Sequence, residues 1–265
     1  MTKIHAFLPF LLIAIAWSTA RASAATKTVS ADDELRGMMV PPEALRSRFG
    51  RTSNGYGSHY FIGPSAISVQ RGEGWYKNTM VSFNSATYGL TEHLSVHAGI
   101  DLVSLVSSRS NGPLWTTRLQ VSGTVSDAVH LGAMATYLRV PLPRTAGDQV
   151  ESGTSGGFGA GLVMITIGDP DHQLTIAGGL PYDGSDRALG PLLYVAGATR
   201  LFPNVSLVTE HWLLADPNTT FSMHSLGARI IGHHLAIDLG VAYDELYAVK
   251  VTPIGTPFVS ATLNF

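Results

Sequence analysis

Pro257-Phe-Val-Ser-Ala-Thr-Leu-Asn-Phe265 closes the chain, and its reading decides the fold. Val259, Ala261, Leu263 and Phe265 fall on one face of an extended segment, and Ser260, Thr262 and Asn264 on the other. That two-residue period belongs to a strand with one apolar and one polar surface. In a barrel that crosses a membrane, the apolar surface meets lipid and the polar surface the lumen. The segment therefore reads as the last strand of such a barrel, with Pro257 putting its starting point in question because proline cannot donate to a ladder.

The other end of the chain agrees with export. Lys3, the apolar run Ala6 to Trp17 and the small residues Ala22-Ser23-Ala24 have the order of a secretory signal peptide, with processing expected before Ala25. The apolar run of about a dozen residues is shorter than the ~20 a membrane helix needs. Loss of residues 1–24 leaves 15 basic against 19 acidic residues, a net charge of −4, which argues against a nucleic-acid partner. The chain has no cysteine, so a disulfide framework, a thiol nucleophile and a thiolate metal site are excluded. Charged residues make up 14% of it, against the ~25% of soluble domains, and its 28 glycines exceed the usual share of ~7%. A chain that exposes apolar surface to lipid has this composition.

Residues 25–55 are polar, carry Asp32-Asp33-Glu34 and contain Pro41-Pro-Glu-Ala-Leu45, where proline and an acid can open a short helix; they read as a periplasmic N-terminal extension. Residues 56–265 read as the barrel. Strands are expected at 57–70, 75–88, 93–106, 113–124, 128–140, 154–168, 172–182, 188–201, 204–214, 219–231, 233–243 and 254–265, twelve in all. Tight turns at Gly89–Glu92, Val125–Asp127, Gly168–Asp171, Phe202-Pro203 and Gly232-His233 alternate with longer links at 71–74, 107–112, 141–153, 182–187, 215–219 and 244–252. Short periplasmic turns, longer external loops and an even strand number are the signature of an antiparallel up-and-down transmembrane barrel. Alternation is clearest in Leu94 to Leu102 and Leu235 to Tyr243, and poor in Gly161 to Ile167 and Asn204 to Leu214. A soluble exported β-sandwich that binds a ligand is the competing architecture, since it too buries one strand face.

Phe61-Ile-Gly-Pro-Ser-Ala66, Arg71 to Asn78 and Val81 to Leu90 resemble a group of exported barrel proteins without an established activity, and the chain as a whole resembles bacterial outer-membrane β-barrel proteins. The resemblance implies an architecture and a place, the outer membrane of a bacterial cell. Phe265 is similar to the terminal signal by which the barrel-assembly machinery recognises such chains. The resemblance implies no reaction.

Extending the two clear registers turns Asp101, Arg118 and Asp238 toward the lumen, with Glu210 and Arg229 beside them. A lipid-facing position costs ~2–4 kcal/mol for Arg or Lys near the midplane, so an inward one is cheaper. Two readings of these charges stand: a pore lining that meets a polar solute, or an ion-pair network that fills a narrow lumen. The histidines supply no metal site. His93 and His97 share a strand face nearly 14 Å apart at ~3.4 Å per residue, and the neighbours His233 and His234 point opposite ways.

Ser108-Arg-Ser-Asn-Gly112 is similar to the His-x-Ser-Asn-Gly segment of outer-membrane phospholipase A, but Ser108 stands where the activating histidine belongs. Gly157, Gly159 and Gly161 are read as a small-residue face inside the barrel. Trp75, Tyr76, Tyr137, Tyr194, Trp212 and Tyr243 are read as candidates for interface girdles, with some of them expected to plug the lumen. The expectation is a small-solute channel or structural envelope protein with the lipid bilayer as partner, and with no catalytic residue, cofactor or metal. A membrane-embedded lipid hydrolase is the alternative activity.

Overall fold

The computed structural model describes residues 55–106, 112–140, 157–182, 190–215, 220–244 and 255–265. The signal segment 1–24, all of the 25–55 extension except Gly55, and Ser110 lie outside them. The strands are β1 (Gly74–Thr79), β2 (Phe83–Gly89), β3 (Leu94–Asp101), β4 (Trp115–Ser126), β5 (Val129–Arg139) and β6 (Gly157–Asp169). They continue as β7 (His172–Tyr182), β8 (Leu192–Phe202), β9 (Val205–Ala215), β10 (Thr220–Ile231), β11 (Leu235–Asp244) and β12 (Thr256–Asn264), with one short helix, α1 (Leu102–Val106). Each strand pairs antiparallel with its neighbour in sequence, and β1 pairs with β12 to close the barrel.

The surface is inverted relative to a soluble protein. Val121, Leu131, Val163, Ile176, Leu193, Leu226, Leu239, Val259 and Leu263 are exposed, while Ser95, Gln120, Thr166, Thr175, Ser206, Asp238, Ser260 and Thr262 are buried. Soluble monomers do not carry a continuous apolar exterior of this kind, whereas a lipid-facing wall must. A single closed sheet also replaces the two layers that a sandwich requires. Among the described residues no helix is long and apolar enough to cross a membrane.

The terminal strand has the expected faces. Its proline is explained by the ladder. Phe265 N–H donates toward β1, to Gly74, while Asn264 N–H donates toward β11, to His234. Odd-numbered positions of β12 thus point their backbone at β1. The β1–β12 register ends at Thr79 and Ser260, with Met80 N–H reaching Val259 O. Pro257 lies beyond that end, where a missing N–H leaves nothing unpaired.

Twelve strands are found, but the expected list reaches that number through two errors that cancel. Residues 57–70 form no strand of the wall. Residues 75–88 form two strands, folded at Met80-Val81-Ser82, where Met80 and Val81 take φ of 52° and 67°. Two consecutive left-handed residues make the tight hairpin turn whose twist matches the strands, and a β-branched valine there is strained. This tight turn falls on the side where longer links were expected, so the alternation of link lengths has an exception.

The expected strand 93–106 also stops early. Asp101 accepts the Ser104 N–H at 2.7 Å and caps α1, so Leu102 leaves the strand face. In β6 the inward residues are Ala160, Leu162, Met164 and Thr166, which places Gly157, Gly159 and Gly161 on the outer face, contrary to the sequence reading. A Cβ on Gly157 would stand 2.0 Å from the Tyr137 hydroxyl, so that glycine makes room for an outward tyrosine.

Candidate functional site

The lumen is occupied by the chain's own segment between Gly55 and β1. Tyr60 N–H donates to Gly63 O at 2.9 Å and Ser65 N–H to Ser58 O at 3.0 Å, folding the segment into a loop with Phe61 and Ile62 at its tip. Gly63 lets the loop pass close to the wall: a Cβ there would lie 2.5 Å from the Tyr194 hydroxyl oxygen. Tyr56, Tyr60, Phe61, Ser65 and Ala66 are buried. The segment reaches the wall at the closing seam, where Gly74 and Phe265 exchange backbone hydrogen bonds of 2.9 and 3.0 Å.

A loop inside a barrel has backbone groups that no ladder satisfies, and leaving them unpaired is costly. The wall supplies the partners. Arg229, inward on β10, donates through Nη1 to Tyr56 O and His59 O, both at 3.0 Å, and through Nη2 to Tyr60 O at 2.9 Å. Lys77, inward on β1, donates to Phe61 O at 2.8 Å and Tyr60 O at 3.3 Å. Asp238 on β11 holds both cations: its Oδ1 accepts Arg229 Nε at 2.6 Å, and its Oδ2 accepts Lys77 Nζ at 3.1 Å and the Ser260 hydroxyl at 2.9 Å.

At the loop tip the signs reverse. Glu210 on β9 accepts Ile62 N–H at 2.9 Å, Gly63 N–H at 2.7 Å and the Trp212 indole N–H at 2.6 Å. Charged partners roughly double the strength of such bonds, and the dry surroundings raise it further.

Neutral side chains complete the grip. Gln120 donates to Ser65 O and Gln173 to Gly57 O, each at 2.8 Å, and Thr166 accepts the Ala66 N–H at 2.7 Å. Tyr60 and Thr175 share a hydroxyl bond of 2.7 Å, joined by a 2.7 Å bond between Thr175 and Thr166. Around these lies an apolar cluster of Tyr60, Phe61, Ala66, Met134, Leu162, Met164, Ala177, Tyr194 and Val208. His59, in the loop, is held well below its usual pKa by burial and by the Arg229 and Lys77 charges, and so is neutral.

Of the residues singled out in the sequence, Arg118, Glu210, Arg229 and Asp238 are buried inside the barrel. Arg229 and Asp238 are register partners across β10 and β11, whereas Glu210 binds the loop tip apart from them. Asp101 sits at the end of β3, serves α1 and takes no part in this network. Lys77 was missed, although its signal was present: Trp75, Lys77 and Thr79 alternate with the exposed Tyr76. Of the six aromatics singled out, Trp75, Tyr194 and Trp212 are the lumenal ones: Trp75 lies between His59 and His97, and Tyr194 against Trp212. His93 and His97 go to separate partners, Ser122 and Thr87.

No protein-family model matches the chain, and no curated protein matches it in sequence. Among solved structures, a KdgM porin aligns over 73% of this chain and 98% of its own length, at 6% identity and a TM-score of 0.50. A KdgM porin in complex with disordered oligogalacturonate aligns over 72% and 96%, at 6% identity and a TM-score of 0.48. The likeness is one of fold, which in this chain is a closed barrel of twelve antiparallel strands.

Proposed function

We propose that the protein is a bacterial outer-membrane channel for small solutes, held closed by its own residues 55–72. The single observation that carries this reading is the nature of the lumen filling. A barrel that served only as a rigid body can be filled by side chains from its own strands. Here the filling is a separate loop, tethered at one seam and held mainly through backbone groups by Arg229, Lys77 and Glu210. Such contacts let go together when the loop moves and leave a polar, charged wall behind. Removal of the signal segment before Ala25 and recognition of the Phe265 end by the barrel-assembly machinery belong to the same reading. The lipid bilayer and a small polar solute are the partners.

Conductance across a planar bilayer tests it. The full chain is expected to conduct rarely, and Arg229→Gln, which takes the donor from three loop carbonyls, is expected to raise the frequency of open events. If neither protein gives channel events, transport is lost. The filled lumen then favours the second reading, a non-conducting structural barrel.

A further inference from the structure

Four of the five buried charges of the lumen are used up by the loop or by each other; the fifth is not. Lys77, Arg229 and Asp238 form one network, and Glu210 has its Oε1 taken by Gly63 and Trp212 and its Oε2 by Ile62. Arg118, on β4, is 9% exposed, makes no hydrogen bond or ion pair among the described residues, and its guanidinium nitrogens are not sealed from solvent. Glu210 attracts it without a hydrogen bond between them. A guanidinium keeps its proton, and one that retains only a little solvent contact inside a barrel gains from an oxyanion partner. Among the described residues the buried formal charges are Lys77, Arg118 and Arg229 against Glu210 and Asp238, one positive charge in excess.

We propose that Arg118 is the anion-recognising residue of the lumen, taking the carboxylate, sulfate or phosphate group of a solute. The inference rests on the channel reading and adds a solute class to it. The planar fork of arginine matches an oxyanion with two parallel N–H bonds, a geometry that a lysine cannot reproduce. Its register partner across β3 is His97, whose Nδ1 is engaged with Thr87 at 2.9 Å, which leaves Nε2 as that ring's remaining polar atom. The His97 ring stacks on Trp75 with centroids 5.5 Å apart, so an indole reporter stands next to the site. Among the described buried cations the loop engages Lys77 and Arg229 and leaves Arg118 free to meet a solute.

Inorganic sulfate titrated into the full-length protein in detergent, followed by calorimetry and tryptophan emission, tests the proposal. Saturable binding is expected in the wild type, with affinity falling about tenfold or more in Arg118→Gln and recovering in part in Arg118→Lys. Retained heat-dependent gel mobility shows that each variant is folded. Equal sulfate affinity in wild type and Arg118→Gln, or no saturable binding in the wild type, overturns the inference. Sulfate binding lost in Arg118→Gln, in a protein that gives no channel events, keeps the anion site and removes the channel. Channel events whose anion-to-cation permeability ratio is unchanged in Arg118→Gln, together with absent sulfate binding, remove the anion site and keep the channel.

Discussion

Along β10, β11, β12 and β1 the inward side chains include Arg229, Asp238, Ser260 and Lys77; Arg229 and Lys77 hold carbonyls of residues 56–61, and Asp238, itself bonded by Ser260, holds the two cations. Along β6, β7 and β8 they include Leu162, Met164, Ala177 and Tyr194, and they pack against Tyr60, Phe61 and Ala66. The two walls act on the same loop in different proportions: the first holds it chiefly by charged hydrogen bonds, the second chiefly by packing, with backbone bonds from Thr166 and Gln173 added. Hydrogen bonds to carbonyls fix where the loop sits to within fractions of an ångström, because their strength falls steeply with distance and angle. Apolar packing supplies burial that depends on volume and tolerates repacking. The charged wall therefore sets position, and the apolar wall contributes cohesion.

The most severe way to break this division is Asp238→Ala. It strands Arg229 and Lys77 side by side without a counter-charge, and loss of one partner of a buried ion pair costs ~3–5 kcal/mol. Urea unfolding of the vesicle-embedded protein is expected to shift by that amount, and residues 55–72 to become sensitive to protease. Wild-type resistance in both assays would mean that the charged wall does not position the loop.

Leu162→Ala attacks the opposite wall. A cavity beneath Tyr60 and Phe61 is expected to cost about 3 kcal/mol. Proteolysis of the loop should nevertheless stay closer to wild type than in Asp238→Ala, since its backbone bonds remain. Equal protease sensitivity in the two variants would erase the distinction between position and cohesion.

Tyr60 belongs to both sides, with its carbonyl on Arg229 and its hydroxyl on Thr175. Tyr60→Phe removes only the second bond and is expected to cost about 1 kcal/mol in the same unfolding assay. The smallest effect is expected from Pro257→Ala, within ~0.5 kcal/mol, because the new N–H emerges beyond the end of the β1–β12 ladder. A larger change there would show that this edge of β12 has a partner.

The legibility of the walls follows the same contrast. In β3, β11 and β12 lipid lies on one side and polar groups on the other, so alternation was visible and the faces were read correctly. In β6 it was not: Leu162 and Met164 face an apolar loop while Val163 and Ile165 face outward, and a strand with two apolar environments shows no period of two. In β9 the pattern is partly inverted, with Val208 inside and Thr209 and His211 outside, where His211 meets His224 on β10 at 2.9 Å. The charges could be picked out because a charged residue in a membrane strand has one affordable direction. Their partners could not, because those partners are carbonyls and amides of the loop, which leave no trace in residue type.

By itself the sequence determined the kind of wall: the turn chemistry, the outward apolar faces and the inward charges are local properties of the strands and their links. Tertiary structure alone decided what fills it. Residues 57–70 have the composition of a strand, and they become a lumenal loop because the chain reverses at Phe61-Ile62 and because Glu210 and Arg229 bind its backbone from 147 to 173 residues away in sequence. No local pattern encodes those distances. They exist only once twelve strands have closed and brought β1, β9, β10 and β11 around one loop.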